Sequence, residues 1–262
     1  YDLVIQMHGS GHISNKFALA LGGKVTVGYY ERKAPPGLNV GMPYPDDRPE
    51  VLRNLGLAEL LGCRHLDPQL EFPLYHADHL ETNRLLRNVQ KAERPRIGLH
   101  VGAKPPVRRW PVAYFAQVAD YFARRFNAQI ILTGGSNEET TVQTIAECMH
   151  APSLNVAGQT SLGGLAALIS KLDLYISNDT GPAHIANAVD TPSVTIFGPV
   201  DPQRWASLDQ TRHPIVRRPV ACSPCGHWEC PIDHRCLRWV SPAMVIEVAE
   251  ELLVEGTAAC GA

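Results

Sequence analysis

The sequence predicts an α/β protein built of parallel sheets with helices on both faces, laid out in two domains. Three observations carry this. Apolar runs of strand length alternate with longer segments of helical period along most of the 262 residues, the pattern of successive βαβ units. Gly102, Gly134, Gly135, Asp179 and Gly181 fall just past strand ends, where ligands of such sheets bind. The polar stretch Gln90-Lys91-Ala92-Glu93-Arg94-Pro95 divides the chain and ends in proline, as a domain boundary does. The expected domains are residues 1–92 and 93–262.

In chain order, Leu3–Met7 is an apolar run of strand length, Ile13–Leu21 has helical period, and Lys24–Gly28 is a second strand. Tyr30–Pro49 is rich in proline and glycine and is expected to be irregular. Glu50–Leu61 and Asp78–Val89 follow as helices. Beyond the linker, strands are expected at Arg96–His100, Gln129–Thr133, Leu154–Val156, Leu172–Ser177 and Ser193–Phe197. Helices between them span Val112–Arg125, Glu138–Met149, Leu162–Ser170 and Pro182–Val189. A closing helix over Pro242–Leu253 brings Val245, Val248, Ala249 and Leu252 to one side.

Composition narrows the function. A formal net charge of -2 gives no nucleic-acid footprint. Charged and apolar fractions are those of an ordinary soluble domain, and no run approaches the ~20 apolar residues of a membrane span. The chain opens on a strand-like segment rather than a charged leader and lacks an initiator methionine. It is therefore expected to be a fragment, or a mature chain cut inside a domain. Of seven cysteines, Cys222, Cys225, Cys230 and Cys236 crowd one segment with His227 and His234 interleaved, while Cys63, Cys148 and Cys260 are scattered. That is not a secreted disulfide framework. The four clustered thiols can ligate a structural zinc tetrahedrally; free or paired thiols are the alternative.

The most informative stretch is Leu172-Asp173-Leu174-Tyr175-Ile176-Ser177-Asn178-Asp179-Thr180-Gly181-Pro182-Ala183-His184. A buried strand ends in Asp-Thr-Gly and a helix begins at once. Asp179 or Thr180 can cap it, and Pro182 suits its first turn. Gly181 lets backbone approach a ligand, and the open N–H groups with the helix dipole suit a diphosphate. His184 falls in the first turn. Read alone, this is also an ordinary strand-to-helix cap.

The neighbouring motifs shift that balance. Gly98-Leu99-His100-Val101-Gly102-Ala103 precedes Arg108-Arg109-Trp110-Pro111. Ile130-Ile131-Leu132-Thr133-Gly134-Gly135 leads to Glu138, and Ala157-Gly158-Gln159-Thr160-Ser161-Leu162 comes next. Thr191-Pro192-Ser193-Val194-Thr195-Ile196-Phe197-Gly198-Pro199 follows the Asp-Thr-Gly helix. In this order and spacing, from about Ile97 to Val248, the chain resembles the C-terminal domain of the family 9 glycosyltransferases, the lipopolysaccharide heptosyltransferases. A weaker likeness covers Tyr1 to Leu61, where Tyr1-Asp2-Leu3-Val4-Ile5 resembles a mid-domain strand of the family's N-terminal half.

The resemblance implies two Rossmann-like domains facing a cleft, the GT-B arrangement, with the N-terminal domain incomplete here. It implies an inverting, metal-independent transferase that moves heptose from ADP-heptose to a lipopolysaccharide inner-core acceptor and needs no cofactor. It implies a cytoplasmic protein able to touch the inner membrane face peripherally. Carried over residue by residue, the donor-binding set is Arg108, Glu138, Thr160, Leu162, Asp179, Thr180, Gly181 and His184. Arg108 takes the place of a basic residue, usually lysine, that approaches the phosphates; the charge is kept but the fork geometry changes. Glu138 matches a ribose-binding glutamate, and Thr160 and Leu162 match residues that border the adenine. The family's base is an aspartate in the first loop of its N-terminal domain, a segment with no counterpart here, so no catalytic base is assigned. The alternatives are a non-catalytic nucleotide-sugar-binding fragment or paralogue, or a transferase for another sugar or acceptor.

Overall fold

The computed structural model describes residues 1–87, 89 and 94–259, with side chains to 256. It divides into two compact units: Tyr1–Gln69 with Gln203–Trp205, and Leu70–Pro202 with Ala206–Ala262. The expected boundary at 92/93, and Cys260, lie outside the described residues. The units part earlier, at Gln69/Leu70.

In the first unit, β1 (Leu3–Gln6), β2 (Val25–Tyr30) and β3 (Val40–Pro43) form a parallel sheet in the order β1-β2-β3. It carries α1 (Ser14–Ala20) and α2 (Glu50–Leu60). Strand β3 lies inside the stretch expected to be irregular. Its Gly41 and Pro43 hide it from a pattern search, and an edge position is where a strand tolerates proline. The small core comprises Val27, Tyr29 and Leu57, with Val25, Val40, Met42, Tyr44 and Leu60 packed around them.

The second unit opens with α3 (His76–Leu85), which ends short of the expected span; residue 88 of that span is outside the described residues. Then follow β4 (Arg96–His100), α4 (Val112–Phe126), β5 (Gln129–Thr133), α5 (Glu139–Cys148), β6 (Ser153–Asn155) and α6 (Leu162–Ile169). The chain continues through β7 (Leu174–Asn178), α7 (Gly181–Ala188) and β8 (Ser193–Phe197). The short α8 (Pro202–Trp205) belongs mostly to the first unit. Strand β9 (Ile215–Arg217), the short α9 (Arg235–Arg238) and α10 (Pro242–Ala259) complete the second.

All six strands of the second unit run parallel, in the order β6-β5-β4-β7-β8-β9, that of the doubly wound dinucleotide-binding sheet. Side-chain alternation builds two cores. Ile97, Leu99, Ile130, Leu132, Leu174, Ile176, Val194 and Ile196 face α4, α5 and α10. Ile131 and Tyr175 face the other way, toward α6 and α7. Gly98 has no room for a Cβ because the Tyr175 ring and Leu172 lie across it. Asn127, in the left-handed region (φ 52°), ends α4. Helix α10 packs on α4 and strands β7–β9 within this unit.

Candidate functional site

From β4 the chain winds outward through β5 and β6; from β7 it winds the other way through β8 and β9. The loops leaving the C-terminal ends of β4 and β7 diverge, and the crevice between them is where a doubly wound sheet binds its ligand. Asn178, the last residue of β7 and fully buried, ties these loops together. Its amide donates to the Val101 carbonyl at 2.8 Å and the Gly102 carbonyl at 3.3 Å, and its carbonyl accepts the Trp110 N–H at 3.0 Å.

Asp179 and Arg108 meet at this crevice. The Arg108 Nη1 donates to Asp179 Oδ2 at 3.1 Å, with the aspartate side chain 5% exposed and the arginine 34%. Arg108 sits on a 3₁₀ turn, Pro106–Arg108. Burial pushes the Asp179 carboxyl up to about 6, against the lowering effect of Arg108. A folded pKa above the unfolded one means that the native state holds the proton more tightly. Stability from this group is therefore full below about pH 4 and lost as pH rises through 6. Asp179→Asn is expected to gain on the native protein between pH 4 and 6 and to hold a lead of up to about 3 kcal/mol above that. Urea unfolding across that range measures it; a pH-independent difference would contradict the buried carboxylate.

Helix α7 starts at Gly181 with Thr180 as N-cap and Pro182 in the first turn. Neither the Thr180 nor the Asp179 side chain caps it. Thr180 is extended (φ -159°) with no side-chain cap hydrogen bond, and Asp179 is turned to Arg108. The helix start thus has no side-chain cap, and its first-turn Ala183 N–H donates to the Thr180 carbonyl at 3.0 Å, so what it offers an anion is the positive end of the helix dipole. His184 is half-buried on the same helix, and burial, then the nearby Arg108 charge, lower its pKa.

Glu138 closes a 3₁₀ turn, Ser136–Glu138, immediately before α5, one residue outside the helix expected to contain it. Its carboxylate accepts the Gly135 N–H at 2.8 Å. A Cβ at Gly102 would overlap both Glu138 carboxylate oxygens, so the carboxylate holds this place only because residue 102 is glycine. Behind it, His100 Nε2 stands 3.9 Å from Oε2. His100 is buried, and that burial lowers its pKa to about 4, against the pull of Glu138, so the ring is neutral at pH 7. Its Nδ1 lies 3.1 Å from the Thr133 hydroxyl, itself 3.1 Å from the Tyr175 hydroxyl. The loop before α6 joins this side: Gly158 N–H donates to the Gly134 carbonyl at 3.0 Å. Thr160 in that loop is half-buried, while Leu162, the first residue of α6, is 64% exposed. Ser161 caps α6 through Gly164 N–H.

The structure thus arranges Arg108, Asp179, Thr180, Gly181 and His184 around the end of β7, and Glu138, Thr160 and Leu162 on the β5–β6 side. Asn178 and His100 are the structural discoveries; their signal in the sequence was a polar side chain at the last position of a largely apolar strand. The zinc considered for Cys222, Cys225, Cys230 and Cys236 finds no support: among the described residues, no group of three or more His, Cys, Asp or Glu is placed to hold a metal ion. These four, with Cys63 and Cys148, are free thiols. Cys236 is buried, which pushes its thiol up to about 11. No described helix is long and apolar enough to cross a membrane.

The model of glycosyltransferase family 9 (heptosyltransferase) matches residues 1–235. The chain belongs to glycosyltransferase family 9. The lipooligosaccharide heptosyltransferase 2 of Campylobacter jejuni subsp. jejuni serotype O:2 is 31% identical over 173 residues, covering 64% of this chain and 53% of that protein. The chain spans about half the length of the curated relatives it matches. Among solved structures, a family 9 glycosyltransferase from Veillonella parvula superposes with a TM-score of 0.79 at 23% identity, covering 97% of this chain and 74% of the other. The ADP-heptose LPS heptosyltransferase II of E. coli does so with 0.73 at 22% identity, covering 97% and 77%. These likenesses support the fold class: the family 9 chain has the parallel α/β architecture of its solved relatives.

Proposed function

We propose that this family 9 chain binds ADP-heptose through its second unit and serves the inverting, metal-independent transfer of heptose to a lipopolysaccharide inner-core acceptor. The observation that carries the reading is the pairing of Arg108 with an uncapped helix start at the switch point of a doubly wound sheet. When the acceptor hydroxyl attacks the anomeric carbon, the bond to the diphosphate breaks and negative charge gathers on the leaving oxygen. The Arg108 guanidinium and the positive end of the α7 dipole meet that charge without reorganising. Asp179, kept at the expense of stability, holds the Arg108 fork toward the phosphates. Glu138, turned inward over Gly102, accepts from ribose hydroxyls, and the exposed Leu162 with Thr160 borders the adenine. The 31% identity to a named heptosyltransferase supports the sugar and the acceptor.

The test is calorimetric titration of ADP, UDP and GDP in the presence and absence of a chelator. ADP is expected to bind most tightly and to keep its affinity with the chelator present. Binding that vanishes and returns with magnesium would overturn the metal-independent reading, and equal affinities for all three would overturn the adenine assignment.

A further inference from the structure

The cysteine-rich segment supplies no residue to the donor site, yet it is anchored at two places, one of them the turn that carries Arg108. Between β9 and α9 the chain runs through residues 218–234 without a strand or helix. At one end it is fixed to the exit of β8: the Ser223 hydroxyl donates to the Gly198 carbonyl at 2.7 Å, and Cys225 N–H to the Pro199 carbonyl at 2.8 Å. At the other it grips one residue of the Arg108 turn. Val107 N–H donates to the Trp228 carbonyl at 3.2 Å, and the Val107 carbonyl accepts from His234 Nε2 at 2.6 Å. A carbonyl can only accept, so the His234 proton sits on Nε2.

His234 is itself held. Its backbone is left-handed (φ 58°), and its N–H donates to the Cys230 Sγ at 3.2 Å. Immediately after it, Cys236 and Leu237 are buried, and Leu237 covers Gly198 so closely that no Cβ fits there. The ring therefore projects from a fixed point onto Val107, whose own side chain is buried. Arg108 is the next residue, and it is the one that reaches Asp179. With both polar groups of Val107 taken by this segment, the direction in which the Arg108 side chain leaves the backbone is set from outside its own loop.

We infer that the cysteine-rich segment is a strap that fixes the Arg108 turn, and that His234 is a positioning residue for Arg108. The inference rests on the proposed role of Arg108 as a phosphate ligand. Because Val107 N–H meets a backbone carbonyl of the strap, His234 is the side chain through which this coupling can be altered by substitution. The thiols act through the same geometry, Cys230 by accepting the His234 N–H.

The experiment is a double-mutant cycle of His234→Ala and Arg108→Ala, read as affinity for ADP and for adenosine. His234→Ala is expected to weaken ADP about tenfold, the scale of one hydrogen bond, and to leave adenosine unchanged. In the Arg108→Ala background it is expected to do nothing further, because its effect passes through that side chain. His234→Gln, which keeps an N–H donor, should recover most of the loss. His234→Leu fills the same space without a donor and stands in for alanine should that variant not fold. Equal losses for ADP and adenosine, effects that multiply in the double variant, or unchanged ADP affinity would each overturn the inference. If Arg108→Ala alone leaves ADP affinity intact, the donor-site reading itself fails, and that outcome is distinct from a failure confined to His234.

Discussion

Replacing Trp110 with alanine is expected to destabilise the second unit by about 3–5 kcal/mol, the range for deleting a fully enclosed indole. The ring is 2% exposed and packs edge-on against Phe115 at 5.0 Å and Tyr114 at 5.4 Å between centroids. Its Nε1 donates to the Val240 carbonyl at 2.9 Å, joining the start of α4 to the turn before α10. The variant leaves a cavity and strands that carbonyl, two costs that add. Trp110→Phe restores most of the ring volume but not the donor, so it should lose less. Urea unfolding followed by circular dichroism measures both. An alanine variant with an unchanged midpoint would mean that α4 and α10 close over the gap freely.

This tryptophan also shows what the sequence makes legible. Strands β4, β5, β7 and β8 announce themselves as apolar runs because both faces of a central parallel strand are covered by helices. The helices between them carry apolar stripes, so the doubly wound alternation can be read before any coordinate is known. Strands β3 and β9 cannot. Each is an edge strand, short or broken by glycine and proline, and its existence depends on a neighbour that supplies the ladder. Helix α3 tells the same story for domain limits. Its residues read as the end of the first half, yet its Thr82 hydroxyl donates to the Gly164 carbonyl of α6 and Glu81 accepts from Ser161, the cap of that helix. Tertiary pairing of that kind decides which unit a segment joins, and no linker composition records it.

The candidate site divides along similar lines. Asp179, Thr180 and Gly181 sit in a contiguous motif whose strand-turn-helix geometry is local, so their placement could be argued from residue types alone. The ion pair between Asp179 and Arg108 spans 71 positions, and the approach of Glu138 to Gly102 depends on how β4 and β5 are registered. Asn178 is the sharpest case. An asparagine ending an apolar strand reads as a turn residue, whereas here it satisfies two carbonyls and an N–H from the opposite loop. Such a role is visible only when the partner loop is present, because the asparagine exists to meet backbone groups that would otherwise be buried without partners.

Arg108→Ala is expected to weaken ADP binding by about 1.5–3 kcal/mol, roughly 10- to 150-fold, the span for a hydrogen bond to a charged group. Arg108 is one-third exposed and already carries one partner, Asp179, so its remaining N–H donors are available without breaking the pair. A diphosphate at the start of α7 would share the guanidinium with Asp179, and the arginine would offset two anions at once. Removing it leaves the phosphates beside a buried carboxyl whose pKa then rises, because Arg108 is the group that lowers it. At neutral pH a larger share of Asp179 is protonated in the variant, which limits the repulsion and keeps the expected loss nearer the lower end. As pH rises further and that carboxyl ionises, the loss should grow. Arg108→Lys restores a charge but not a fork, and should recover part of the affinity. Titrations of ADP and adenosine at pH 6.5 and 8.5 decide the matter. A loss shared by adenosine would point to a disturbed fold, and ADP affinity that is unchanged at both pH values would remove Arg108 from the phosphate site.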